Sequence, residues 1–171
     1  MNFDEVLNKR VSGRKFDLKN VEDSILEEIT NAAKKAPIGR NQYKNYRITV
    51  ITRRDFIKAI EGEFEEKFSA KNALYNAPVF IVVSCDSKVE STIKYEDTAC
   101  IIENMHLKAT DLGLSSCYIR GLVHSLGKDG EYIKLLKLDE GYIPVSGLVL
   151  GYPDSKNEVA KKHEIKINYI K

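Results

Sequence analysis

Tryptophan is absent from this 171-residue chain, and cysteine, proline and methionine are scarce at 3, 4 and 2. Cys85, Cys100 and Cys117 are too few and too scattered for a disulfide framework or a four-ligand zinc site, so a reducing compartment is the expected setting. No stretch approaches the roughly 20 uninterrupted apolar residues that a membrane-spanning helix needs. Net charge is nearly missing too: 27 Lys and Arg against 25 Asp and Glu leave +2. That balance argues against a nucleic-acid partner unless the basic residues are concentrated on one face. Tyr43-Lys44-Asn45-Tyr46-Arg47 hints at such a face but is short. Met1 to Glu5 carry acids and no apolar signal-peptide core, so a cytoplasmic protein is expected. With no repeat, low-complexity tract or Gly/Ser linker, residues 1–171 read as one domain.

What is present is a regular alternation of helix and strand patterns. Residues 2–10 read as a short helix with Phe3, Val6 and Leu7 on one face and Lys9 and Arg10 at the cation-favouring end. The 22–35 stretch repeats Ile25, Leu26, Ile29, Ala32 and Ala33 at helical spacing, with Asn20 as the expected cap and Pro37-Ile38-Gly39 as the stop. Residues 46–52 are β-branched and strand-like. Pro78 to Cys85 is a continuous apolar run of strand length, which predicts burial on both faces and a place at the centre of the sheet. One or two charged helices are expected over 53–72, and a long one over 94–112 with Ala99, Ile102, Met105, His106, Ala109 and Leu112 facing the core, closed by Gly113. Ser115 to Ile119, 129–137 and Pro144 to Tyr152 read as strand, helix and strand. The extended segment Ile165 to Ile170 is left over. Such alternation predicts a three-layer sandwich around a central sheet.

Three groups are candidates for chemistry. Arg10, Ser12 and Arg14 follow the first helix at spacing two, with Gly13 permitting a sharp turn; in an extended segment two guanidiniums and a hydroxyl converge on one anion such as a phosphate. The bland alternative is a solvated charged segment at a helix end. Pro37-Ile38-Gly39-Arg40-Asn41 is a loop with exposed backbone and a polar amide, or merely a helix stop. Ser116 to Gly121 is a strand end passing into glycine, where a flat ligand can approach the main chain.

In this order, these groups resemble the FMN-dependent nitroreductase family over nearly the whole chain. Arg10-Val11-Ser12-Gly13-Arg14-Lys15-Phe16 resembles the family's R-x-S-x-R-x-F. Ala36 to Asn45 is similar to A-P-S-x-x-N-x-Q-P-W, and Leu112 to Ile119 to L-G-L-G-S-C-W-I. Ala77-Pro78 before the apolar strand and Gly151-Tyr152-Pro153 before a basic tail also match.

The resemblance implies an α+β fold, a three-layer α/β/α sandwich whose C-terminal arm, residues 160–171, is exchanged between the subunits of a homodimer. It implies FMN at the interface and NAD(P)H as electron donor to a small-molecule acceptor, a nitroaromatic, a quinone or the like, in a ping-pong scheme. By carry-over, Arg10, Ser12 and Arg14 hold the phosphate and ribityl end, helped by Lys161 and Lys162. Pro37, Ile38, Gly39 and Asn41, from the partner subunit, line the ring, and Arg120 and Gly121 approach its N5 and O4 edge through the backbone. No catalytic acid or base is implied. The chain departs from the pattern at Ile38, Tyr43, Lys44 and Asn45 and at Tyr118, where the family has Ser, Gln, Pro, Trp and Trp, so both missing tryptophans fall at motif positions. The chain's length leaves no obvious place for a lid. The weakened loop motif keeps a flavin-binding or sensor module with little turnover as the alternative.

The remaining candidates have plain readings. His106 is expected to be a satisfied core or interface histidine. His124 and His163 stand alone, and no spacing suggests a metal. Cys85 and Cys100 are expected in the core, Cys117 as a small strand residue, and the acidic run Glu61 to Glu66 as a solvated helix face. Arg120 either selects an acidic substrate or a nicotinamide phosphate, or points into solvent.

Overall fold

A computed structural model describes residues 1–127, 130–154 and 164–171. The apolar run forms β2 (Val79–Asp86), buried along its length up to Asp86. It pairs antiparallel with β1 (Tyr46–Ile51) on one side and with β4 (Tyr142–Gly151) on the other, and β4 pairs antiparallel with β3 (Ser115–Ile119). The order is β1-β2-β4-β3, so β2 shares the centre of the sheet with β4. β4 can lie so close because it carries Gly147, where an added Cβ would meet the Phe80 ring at 2.6 Å and the Ile81 carbonyl at 2.8 Å.

Successive β2 side chains point to opposite faces, and each face has its own helices. On one, Val79, Ile81 and Val83 pack with Leu26 and Ile29 of α2 (Asp23–Ala33) and Ile101, Ile102 and Met105 of α4 (Ser91–Asp111). On the other, Phe80 and Val82 pack with α3 (Arg54–Phe68), α5 (Gly121–Leu126) and α6 (Glu131–Leu136). A short α1 (Phe3–Lys9) lies against α4. The three-layer α/β/α architecture is therefore present, with an antiparallel sheet. Among the described residues no helix is long and apolar enough to cross a membrane.

Several local expectations are corrected. Glu22, not Asn20, is the N-cap of α2, and its carboxylate accepts the Tyr152 hydroxyl at 2.5 Å instead of capping. On α4, Ala99 is exposed and Cys100 half-buried, whereas Lys94, Asp97 and Thr98 lie on the buried side. Of the apolar residues of α1 only Val6 is buried; Phe3 is 67% exposed. The acidic run is not merely solvated: Glu63 accepts the Glu131 and Tyr132 backbone N–H groups at 2.9 Å, tying α3 to the start of α6, and Glu61 accepts that of Leu74 at 2.7 Å.

The two edges of the sheet differ. The outer edge of β3 meets the chain's own N-terminal segment through a Ser12–Ser116 bridge, in which the Gly13 N–H donates to the Ser116 carbonyl at 2.9 Å. No described strand pairs with the outer edge of β1. Residues 164–171 have no regular structure and leave Ile165, Ile167 and Tyr169 at 84%, 67% and 78% exposure.

Candidate functional site

The segment from Arg10 to Phe16 runs across the β3 edge. Gly13 fits closely there: a Cβ would sit 1.7 Å from the Ser115 hydroxyl oxygen and 3.1 Å from its Cβ, so the serine side chain would have to turn away. Farther on, Phe16 bridges to Pro153 and the Asp17 N–H donates to the Tyr152 carbonyl at 2.8 Å. The backbone is thus clamped at Ser12-Gly13 and again at Phe16-Asp17, with the Ser12 side chain exposed at the first clamp and Arg14 exposed between the two.

The two guanidiniums, which the spacing predicts to share one anion, contact different partners within the chain. Arg10 Nη1 lies 2.9 Å from His106 Nε2 on α4, and its Nε is 3.9 Å from Glu103. Arg14 lies 5.8 Å from the centre of the Tyr75 ring, which packs with the opposite layer, and its Nη1 is 3.4 Å from the Ser12 carbonyl. The physical reason is that the segment crosses the end of the sheet between them. Arg14 also lines a cleft of about 520 Å³ in which Lys15, Arg54 and Lys58 outnumber the acids Glu61 and Asp154. Such splayed cations suit an elongated ligand, anionic at one end and electron-rich along its length.

His106 is buried, and its protonation state follows from its neighbours. Burial, aided by the Arg10 charge, pushes its pKa down to about 4, so the ring is neutral at pH 7. A guanidinium only donates, so Nε2 is the acceptor and Nδ1 carries the proton. That proton goes to the Ser116 hydroxyl, which is in short contact with Nδ1. Sequence reasoning recognised His106 as a satisfied buried histidine but not its place beneath the Arg10 segment.

The 37–41 loop is built on another part of α4. Asp97 Oδ1 accepts the Gly39 N–H at 2.9 Å and Oδ2 accepts the Tyr46 hydroxyl at 2.7 Å. Burial and the Asp97 charge both raise the Tyr46 pKa, so the phenol stays protonated and donates. Gly39 fits closely, a Cβ meeting Ile93 at 3.2 Å. Arg40 and Asn41 follow with φ of 55° and 58°, left-handed geometry that presents both outward. Pro37 is exposed, whereas the Ile38 side chain is buried in the core, so Ile38 offers a ligand only its main chain. Asp97 was missed because a carboxylate on a long helix reads as solvent-facing.

The third group lies at the end of β3. Arg120 is exposed, 6.0 Å from the Tyr95 ring, and Gly121 opens α5 with its backbone exposed and nothing within 4 Å of where a Cβ would stand. Tyr118 is half-buried, and Cys117 is buried with its thiol pKa raised by that burial against the lowering field of Arg14. Lys161 and Lys162 fall outside the described residues, as does His163. Among the described residues no cluster of His, Cys, Asp and Glu could hold a metal.

One chain therefore holds the Arg10 segment and the 37–41 loop apart. Their anchors, His106 and Asp97, are nine residues apart on α4, about 13.5 Å along a helix rising 1.5 Å per residue.

Comparison with known proteins gives a consistent picture. The Nitroreductase family model matches residues 7–152. A curated relative from Methanothermobacter thermautotrophicus, named as a putative NADH dehydrogenase/NAD(P)H nitroreductase, is 28% identical over 152 residues, covering 87% of this chain and 76% of that protein. A nitroreductase structure with bound FMN from Bacteroides fragilis superposes with a TM-score of 0.83 at 25% identity over 100% of both chains. Another with bound FMN, from Desulfitobacterium hafniense, gives 0.85 at 24% identity over 98% of this chain and 97% of that one.

Proposed function

The chain belongs to the nitroreductase family, and from that premise we propose that it is an FMN-dependent oxidoreductase passing reducing equivalents from NAD(P)H to a nitroaromatic, quinone or similar small acceptor. The observation that carries the reading is the clamped Arg10–Arg14 segment, whose two cations are splayed about an exposed Ser12. FMN fits that arrangement in kind, being long, with a phosphate at one end. When bound, it supplies a hydride relay through N5 between a nicotinamide donor and the acceptor that takes the donor's place.

The protein's own residues bind and orient. Arg10 and Ser12 hold the phosphate, Arg14 the ribityl end, and Lys161 and Lys162 assist. The main chain at Arg120 and Gly121 approaches the ring edge. Pro37, Gly39 and Asn41, with the Ile38 backbone, cover the ring from a second copy, since one chain keeps that loop away from Arg10. No side chain is assigned an acid–base role, in keeping with chemistry carried by the cofactor.

We read the acting species as a homodimer. Ile165, Ile167 and Tyr169 alternate as a strand does, and the β1 edge, which no described strand covers, adjoins a cleft of about 580 Å³ lined by Tyr43, Ile48, Val50 and Ile101. An arm laid there would cover an edge that otherwise invites aggregation. The three cysteines are free, which suits the cytoplasm.

The test is the absorption spectrum of the purified protein, reconstituted with FMN, before and after anaerobic addition of NADH or NADPH. A bound-flavin spectrum bleached by the donor and restored by a quinone is expected. A protein that binds no FMN overturns the reading, and one that binds FMN but is not reduced is the binding module instead.

A further inference from the structure

The Arg10 segment is held by a closed ring of contacts. The Arg10 guanidinium donates to His106 Nε2 at 2.9 Å, His106 Nδ1 contacts the Ser116 hydroxyl, and the Ser116 carbonyl accepts the Gly13 N–H at 2.9 Å. One residue of β3 thus fixes both ends of Arg10-Val11-Ser12-Gly13, through its side chain at one end and its main chain at the other. His106 is the link between the side chain of Arg10 and that strand.

The kind of acceptor matters as much as its position. The Glu103 carboxylate does approach Arg10, at 3.9 Å, but it is half exposed and solvent screens the pair; a carboxylate in the buried place of His106 would turn the guanidinium while cancelling the charge an anionic ligand needs. A neutral imidazole turns it and leaves the charge in place. The Ser116 hydroxyl can donate or accept and so adapts to either tautomer; the guanidinium, which only donates, is what selects the one with a bare Nε2.

We propose that His106 is a positioning residue for the anion-binding segment, a buried neutral acceptor that aims Arg10 at the ligand phosphate without spending its charge. The proposal rests on the FMN reading above and adds a residue to it that does not touch the flavin.

The experiment is the FMN dissociation constant at pH 7, by flavin fluorescence, for the parent protein and for His106→Gln, His106→Leu and His106→Glu, each also made with Arg10→Ala, with a thermal unfolding midpoint for each. Gln supplies a neutral acceptor and is expected to stay within about threefold of the parent. Leu removes the acceptor and Glu cancels the charge, and each is expected to weaken FMN about tenfold, the scale of one charge-assisted hydrogen bond. In the Arg10→Ala background the variants are expected to bind alike, because there is no guanidinium left to aim. A merely structural histidine would instead give losses that follow the unfolding midpoints and persist without Arg10, and that result overturns the proposal. Should the Leu variant not fold, the near-isosteric Gln and Glu decide the matter, and equal affinity for both overturns it. Failure of the parent itself to bind FMN is a different result, one that removes the proposed function together with this inference.

Discussion

The Arg10 segment and the 37–41 loop are anchored alike and yet oppositely. Each hangs on a single buried polar side chain of α4, but the loop hangs on the carboxylate of Asp97 and the segment on the neutral imidazole of His106. The difference follows from what is being held. Gly39 N–H and the Tyr46 hydroxyl are neutral donors with no further task, and a carboxylate binds such donors about twice as strongly as a neutral acceptor does. Arg10 is a cation whose charge, on the function proposed above, serves an anionic ligand, and a neutral buried anchor leaves the half-exposed, solvent-screened Glu103 at 3.9 Å as the competing charge.

Breaking the loop's anchor is the most direct test of this contrast. Asp97→Ala strands the buried Tyr46 hydroxyl and the half-buried Gly39 N–H and is expected to cost about 3 kcal/mol, read by urea unfolding, with Asp97→Asn recovering much of it; an alanine variant as stable as the parent would show the carboxylate to be dispensable. Acid probes the other anchor. The folded His106 pKa of about 4 lies below the 6.5 of an unperturbed histidine, so the unfolded chain takes up the proton first as pH falls. Stability is then full above pH 6.5 and drops by about 3 kcal/mol by pH 4. His106→Gln should flatten that part of the stability curve, and a curve of unchanged slope would refute the buried neutral ring.

Smaller effects sharpen the comparison. Gly13→Ala drives a Cβ into the Ser115 hydroxyl and is expected to cost about 2 kcal/mol and to weaken FMN binding. Ser115→Ala removes the clashing oxygen, the nearest other atom being Ser115 Cβ at 3.1 Å, so the double variant should regain most of the loss; no recovery would place the strain elsewhere. Glu63→Ala, which uncaps α6 far from both anchors, should cost about 1 kcal/mol and leave FMN affinity unchanged. A shift in affinity there would mean that the two regions are not independent of the rest of the fold.

The fold was legible wherever burial was monotonous. β2 stood out because both of its faces are covered, and β3 was read at its observed bounds because Gly113 and Gly121 fence it. α5 escaped notice because six residues show too little of a helical period. The site was legible as motifs and not as geometry. Spacing placed Arg10 and Arg14 together, whereas the sheet edge between them sends one to His106 and the other to Tyr75. Asp97 was invisible for a general reason: a buried carboxylate has the same letter as a solvated one, and only its partners, Gly39 and Tyr46, tell them apart.

The unequal edges of the sheet have a consequence for assembly. A sheet with two bare edges can be extended at either end, and copies that add to one another in that way form fibres. Here Ser12 and Gly13 meet the β3 end, and among the described residues no strand covers the β1 end. In the reciprocal exchange proposed above, two chains that each cover the other's β1 edge leave neither end open to further copies, so the glycine that brings Ser12 onto β3 would favour a closed pair over an open series.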